Sequence, residues 1–271
     1  MSSLAFDHVV IYVPNLEQAV QQFTDLGFTV QFGGEHEHTV NALIVFNDQF
    51  YIELLSLKPT WRRPLLLLAA RLGLIHLISK SKKTISWRLL PWVAMPYGPK
   101  DWCLRSDNIA RVLQRLKPTA IPLLKCQSYE RIRPDGQQLK WLLGGAKNTD
   151  LPYLIQDSTP VSLRIPLGSH AVHANGAKCL RKIKIAPKNP LIAANNLSTL
   201  LEASIDKKLE ASIDNKRSDV IIPIGDAAIH LTHQLDWFGK FSLELEYDGN
   251  ERMLLNCEQT YGAQIWLIPA S

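Results

Sequence analysis

Hydrophobic and polar residues alternate from Asp7 to Val13, and this period of two predicts a strand that Pro14 and Asn15 end. Asn15, with Gln18 three residues on, has the spacing of a helix N-terminus, where a side-chain oxygen receives an otherwise unpaired backbone N–H. Leu16, Ala19, Val20, Phe23 and Leu26 then recur at helical spacing, and Gly27 stands where a helix closes. Phe28 to Phe32 reads as a strand broken by Gly33-Gly34. Asn41 to Phe46 is the next strand, Asn47-Asp48 a turn, and Phe50 to Leu57 a further strand. The order is β-α-β-β-β.

The pattern recurs. Asp101 to Ser106 predicts a strand, and Asp107 caps a helix with Ile109, Val112, Leu113 and Leu116 on one face. Pro122 to Arg133 and Gln138 to Leu143 flank the turn Pro134-Asp135-Gly136, and Leu151 to Gln156 follows. A third, degraded copy runs from Ala177 to Ala186 as a strand and Leu191 to Ala203 as a helix. VIIPIGD and AIHLTHQ form its late hairpin, and FSLELEY and QIWLIPA finish the chain as two more strands. The expected fold class is α+β: paired βαβββ modules over 1–160, interrupted by an insertion at about 58–96, then a βαβββ-like extension over 161–271.

Composition narrows the function. At 46% hydrophobic and 20% charged the chain reads as soluble and globular. The net charge of +5, without a helix-turn-helix, zinc-finger or single-strand-binding signature, gives no reason to expect nucleic acid. The N-terminus lacks the basic segment of a signal or transit peptide, so a cytoplasmic location is expected. Cys103, Cys126, Cys179 and Cys257 have no C-x-x-C spacing and read as reduced, mostly buried thiols. From Leu54 to Lys100 there is no acidic residue but nine basic ones: Lys58, Arg62, Arg63, Arg71, Lys80, Lys82, Lys83, Arg88 and Lys100. Within this stretch, the apolar run from Pro64 to Ser79 is too short for the roughly 20 residues that span a bilayer. It reads either as a helix buried against the fold or capping a cleft, or as a basic-flanked helix at a membrane or partner surface. The tandem LEASIDKK-LEASIDNK, 201–216, reads as a local surface duplication.

Several residues carry candidate chemistry. His8 and Glu53 lie in strands otherwise rich in Val, Ile and Leu, where burying an ionisable group is costly unless it is used or paired. In strand parity His8 shares a face with Phe6 and Val10, and Glu53 with Tyr51 and Leu55. In GGEHEHTVN, His36 and His38 would point to one face, which suggests half a metal site or a polar bend. Asn41 is a turn residue or a substrate hydrogen-bond donor. Arg131 and Arg133 share a face beside the turn, where a guanidinium fork could hold a carboxylate or phosphate. Trp141 is core or cleft wall. The H-x-x-H pairs at 170–173 and 230–233 lack a third ligand and read as structural.

The ordered stretches FDHVV (6–10), GFTV followed by GGEH (27–36), Asn41, YIELL (51–55), CLRS (103–106), RIRPDGQQLKW (131–141) and LPYLIQ (151–156) resemble the glyoxalase-like domain family of the vicinal oxygen chelate superfamily. The resemblance implies paired modules curled into a cleft, with metal ligands from the first and last strands of each. It places His8 and Glu53 at those positions and His36 at the family's G-G-x-H histidine. The second module departs: Asp101-Trp102 stands for Asp7-His8, and Tyr153-Leu154-Ile155 for Tyr51-Ile52-Glu53, so no strong second ligand pair remains. A divalent zinc, manganese or iron could still be held by His8, Glu53 and His36 with water. Without metal, the trio could act as acid and base. The implied function is a lyase, isomerase or hydrolase acting on an oxygenated, anionic small molecule. A non-catalytic small-molecule binder of the same fold is the alternative, and membrane or partner docking through 64–79 a second one.

Overall fold

The structure, a computed structural model, describes residues 4–35, 38–58, 63–75, 77, 84–133, 136–202, 219–233 and 240–270. The first module comprises β1 (Leu4–Tyr12), α1 (Leu16–Asp25), β2 (Gln31–Glu35), β3 (Thr39–Val45) and β4 (Tyr51–Leu57). The insertion carries α2 (Arg63–Arg71), the single turn α3 (Ser86–Leu89) and a 3₁₀ turn at Leu90–Ala94. The second module comprises β5 (Gly98–Ser106), α4 (Ile109–Leu116), β6 (Leu123–Ile132), β7 (Gln138–Ala146) and β8 (Tyr153–Asp157). Together they form one eight-stranded sheet in the order β2-β3-β4-β1-β5-β8-β7-β6. β1 runs parallel to β4 and β5 parallel to β8, and the halves meet where β1 and β5 pair antiparallel. This is the topology of two like modules related by a pseudo-twofold axis.

Local chemistry accounts for most of these boundaries. The Asn15 side chain accepts the Gln18 N–H at 2.9 Å, as the sequence suggested. The second helix is capped one residue later than expected, by Asn108 rather than Asp107, with Asn108 accepting the Arg111 N–H at 2.9 Å. Gly33-Gly34 do not break the strand. They lie inside β2, where the ladder to β3 slips between Phe32 and Gly34, so the glycines form a bulge.

After β8 come α5 (Val161–Arg164), a 3₁₀ turn (Gly168–Ala171), β9 (Ala177–Ile185), α6 (Pro190–Leu201), β10 (Val220–Ile224), β11 (Ala227–Leu231), β12 (Phe241–Tyr247), β13 (Met253–Leu254) and β14 (Gln264–Pro269). Strands β9 to β14 make a second sheet in the order β10-β11-β9-β12-β14-β13. The expected degraded copy is β9, α6 and the β10–β11 hairpin, and the strands that finish the chain pair in the same way. β9 and β11 are parallel, β12 and β14 are parallel, and β9 pairs antiparallel with β12, repeating the arrangement of the large sheet. The C-terminal part is thus two shortened modules, of which only the first has a helix among the described residues.

One face of the large sheet, helices α1, α4 and α6, and the second sheet share a continuous core that includes Ile11, Phe23, Ile52, Trp102, Val112, Leu197 and Leu243. Each such side chain contributes about 1.5–3 kcal/mol by leaving water. The other face of the large sheet is the concave one. Two small apolar clusters line it: Ile85 from the insertion packs with Cys103, Trp141, Tyr153 and Ile155, and Ile165 with Leu43, Val45 and Tyr51. α3 and α5 therefore each cover one half. The apolar run after Pro64 differs: Leu65, Leu68 and Leu72 are 59%, 52% and 65% exposed, so the described residues do not bury this face of the helix, although Ile75 beyond it is buried. Among the cysteines only Cys103 is buried; Cys126 is exposed and Cys179 and Cys257 are half-buried, all as free thiols.

Candidate functional site

His8 reaches the concave face through a bulge. The ladder from β1 to β5 slips between Phe6 and His8, so Asp7 is the extra residue. Phe6 and Val9 enter the large core, while Asp7 and His8 both serve the opposite face. The expected sharing of a face by Phe6 and His8 is therefore corrected. His8 Nδ1 donates to Asp7 Oδ1 at 2.6 Å, and the Tyr153 hydroxyl donates to His8 Nε2. Burial pushes the Tyr153 phenol well above its usual range, so it keeps its proton. These partners assign the imidazole proton to Nδ1. Tyr51 stacks on the ring, with centroids 4.7 Å apart and an interplanar angle of 19°.

Glu53, on β4, places Oε2 3.7 Å from His8 Nε2. Its other oxygen accepts from Asn41 Nδ2 at 2.6 Å. Asn41 lies within β3 rather than opening it, and pairs in the ladder with Leu55. Its Oδ1 is buried without a hydrogen-bond partner among the described residues, and a Cβ on Gly33 would stand 2.5 Å from it. The β2 bulge thus presses glycine backbone against Asn41.

Two buried arginines hold the floor. Arg164 makes paired hydrogen bonds of 2.9 and 2.8 Å to Asp7 and two of 2.7 Å to Asp157, and its Nη1 also donates to the Tyr51 hydroxyl at 2.9 Å. In the other half Arg88 bonds both oxygens of Asp101 at 2.5 Å and reaches the carbonyls of Ala146 and Leu151. Arg164 sits over the Tyr51 ring and Arg88 over the Tyr153 ring, each with its guanidinium carbon 5.7 Å from the centroid. Asp7–Arg164–Tyr51 and Asp101–Arg88–Tyr153 are therefore counterparts across the pseudo-twofold axis. Each arginine follows one module and locks the other. Burial opposes the charge on Asp7, but Arg164 and His8 hold its carboxyl well below the usual range.

Register also shows which residues replace the second polar pair. His8 lies opposite Tyr51 as Cys103 lies opposite Tyr153. The counterpart of His8 is thus Cys103, not Trp102, whose ring packs in the large core; the counterpart of Glu53 is Ile155. The sequence reading missed Asp7, Tyr153, Arg164 and Cys103. The repeated Tyr at the start of β4 and β8 was the available signal for Tyr153; nothing local marks Arg164.

Arg131, in β6, and Arg133, just beyond its end, border a cleft of about 250 Å³ with Gln31, Leu43, Leu163 and Arg164. Arg133 Nη1 donates to the Leu163 carbonyl at 2.9 Å, so it fastens α5. Arg131 is half-buried, its Nε has no hydrogen-bond partner among the described residues, and a Cβ on Gly34 would stand 2.5 Å from its Nη1. The edge strands β2 and β6 thus come into contact across the cleft. Burial draws the Arg131 guanidinium down from its ordinary value, against the opposing pull of Glu53. Trp141 is buried and stacks on Tyr129 at 6.3 Å, which makes it wall. His36 lies outside the described residues; His38 is exposed. His173 is structural: Nδ1 accepts the Thr29 N–H at 3.0 Å and Nε2 donates to the Val45 carbonyl at 3.0 Å.

Asp7, His8 and Cys103 offer ligand atoms within 4.8 Å of one another, close enough to share an ion. Their chemistry does not fit one as arranged. Arg164 occupies both Asp7 oxygens with a positive charge. Burial, then the Asp7 charge, raise the Cys103 thiol well above its usual range, so it is not a thiolate. The Tyr153 hydroxyl stands on the His8 Nε2 lone pair, the direction a metal would take.

Paired βαβββ modules joined along β1 and β5, with a polar cluster on the concave face, define a protein of the vicinal oxygen chelate class. The chain belongs to the glyoxalase-like domain family, whose model matches residues 6–201. No curated protein sequence matches it. Among solved structures, a hypothetical protein from Staphylococcus aureus is 18% identical with a TM-score of 0.69, covering 98% of this chain and 99% of that one. The Mn(II)-bound glyoxalase from Novosphingobium aromaticivorans is 7% identical at a TM-score of 0.47, over 91% and 66% of the two chains. A catechol 2,3-dioxygenase is 9% identical at 0.47, over 98% and 87%. The first of these shares the whole fold; the other two, at that level, carry no argument about chemistry.

Proposed function

We propose that this protein is a metal-independent proton-transfer enzyme, of lyase or isomerase type, acting on a small oxygenated anion. The observation that carries the reading is the approach of Glu53 Oε2 to His8 Nε2, 3.7 Å, with Asp7 and Tyr153 bonded to the same imidazole. Two proton acceptors of different chemistry stand side by side. Asp7 fixes the Nδ1–H tautomer and would stabilise the imidazolium formed when Nε2 takes a proton. Glu53, steadied by Asn41, is the second acceptor, suited to a proton on a carbon next to a carbonyl. The protonated Tyr153 hydroxyl would turn from His8 Nε2 to the substrate oxygen on which charge develops, which frees the Nε2 lone pair to take the proton. Arg131, bonded to no carboxylate among the described residues, is the cation left to orient an anionic group.

The test is exchange of substrate C–H protons in D₂O, followed by NMR across a panel of small keto and hydroxy acids. Turnover is expected for at least one member. Glu53→Gln and His8→Ala should each slow it by about 10²-fold or more, with unchanged circular dichroism. A panel without exchange, or exchange indifferent to both substitutions, overturns the proposal. Protein purified without a tag should contain no stoichiometric divalent ion, and zinc, manganese or iron should leave its thermal stability unchanged. An equimolar ion would overturn the metal-independent version and return His36 to the ligand set.

The replacement of the second polar pair by Cys103 and Ile155 favours a second reading, a non-catalytic binder of the same small molecules. A ligand that raises the melting temperature without any exchange, and does so equally in Glu53→Gln, would select it.

A further inference from the structure

We propose that the insertion docks this protein on an anionic lipid surface through α2 and the exposed leucines just beyond it, Leu72, Leu74 and Leu77. Leu65, Leu68 and Leu72 lie at i, i+3 and i+7, on one face, and the Leu72 N–H continues the helical turn by bonding the Leu68 carbonyl at 3.0 Å. All three are exposed, as are Leu67, Leu74 and Leu77. Solvent-facing leucines are ordinary singly, but six within thirteen residues leave this segment with an apolar surface that the described residues do not cover. The helix packs on the 3₁₀ turn at Leu90–Ala94, and just beyond that turn Met95 and Tyr97 are 46% and 44% exposed. Tyrosine at such an edge suits the headgroup level of a bilayer.

Charge selects the occupant. No acidic residue occurs from Leu54 to Lys100. Of the nine basic residues in that stretch, Arg88 and Lys100 are buried and do not act at the surface. Arg71 is exposed on the leucine helix itself. A second copy of the chain would bring the same acid-free, basic segment against itself, whereas an anionic bilayer answers both its charge and the apolar face. The attachment is peripheral, because no helix among the described residues is long and apolar enough to cross a membrane.

The experiment is co-sedimentation of the full chain with vesicles of phosphatidylcholine, with and without about one-third phosphatidylglycerol. Binding is expected to the anionic vesicles at low salt, with release at high salt and little binding to phosphatidylcholine alone. Leu68→Glu with Leu72→Glu should lower partitioning at least about tenfold, and both positions are exposed, so the fold should survive by circular dichroism. Arg71→Glu should weaken binding without affecting proton exchange. His8→Ala should bind vesicles like the unaltered protein, which separates this proposal from the reading of the active site. Failure to sediment at low salt, equal binding to both vesicle types, or indifference to the leucine substitutions overturns it. So does a dimer in light scattering that the leucine substitutions dissolve while vesicles bind nothing.

Discussion

Asp7 concentrates most of what single residues decide here. It is fully buried, carries a charge, and is held by Arg164, which also bridges to Asp157. Arg164→Met would strand that carboxylate, and a loss of about 3–5 kcal/mol is expected in urea unfolding. Adding Asp7→Asn to the same chain should recover part of the loss, because the unpaired charge is then gone. Two buried groups each contribute a stage to the pH dependence. His173 has its folded value drawn below 6.5 by burial, so its stabilising contribution is present above that pH and is lost as pH falls. Protonating it also removes the acceptor of the Thr29 N–H. Asp7 likewise has a folded value below its unfolded 3.8, so its contribution is complete above about pH 5 and disappears as pH falls further. Unfolding free energy measured against pH should therefore decline in two stages. His173→Asn should flatten the upper stage and leave the lower.

At the scale of elements, strands and helices were legible because their periods are local, while their irregularities were not. The bulge at Asp7 follows from pairing with β5, ninety-odd residues away, and it is what turns Asp7 and His8 to the same side. The glycines of β2 look like a break in sequence, yet they keep the ladder and bend it, because Asn41 and Arg131 crowd the places where side chains would stand. Gly27 was readable as the residue closing α1, and it does so at φ +86°. It has a second task visible only in the fold: a Cβ there would meet the backbone nitrogen of Asn175 at 2.9 Å, and its carbonyl accepts that N–H. Gly27→Ala should cost about 1–3 kcal/mol, more than closing an exposed helix would explain, and thermal melting checks this.

In the whole molecule, the shortened C-terminal modules act as the second half of the core. Residues from β9, α6, β12 and β14 complete the apolar cluster that backs the large sheet. A chain ending at 176 would expose that face, and it is expected to be insoluble or to bind hydrophobic dyes strongly, as native gels and dye fluorescence would show. The repeated βαβββ order and the placing of His8, Glu53 and Asn41 among apolar strands were settled by the sequence itself, since alternation and the cost of burying a charge act residue by residue. Tyr153 and Arg164 reach the site from 145 and 157 residues away in the chain, so only packing could bring them to His8 and Asp7. Cys103, rather than Trp102, answers His8 because a ladder slipped by one residue exchanges the two faces. The leucine-rich helix was ambiguous for the same reason: its apolar face was plain in sequence, but whether anything covers that face depends on where the rest of the chain lies.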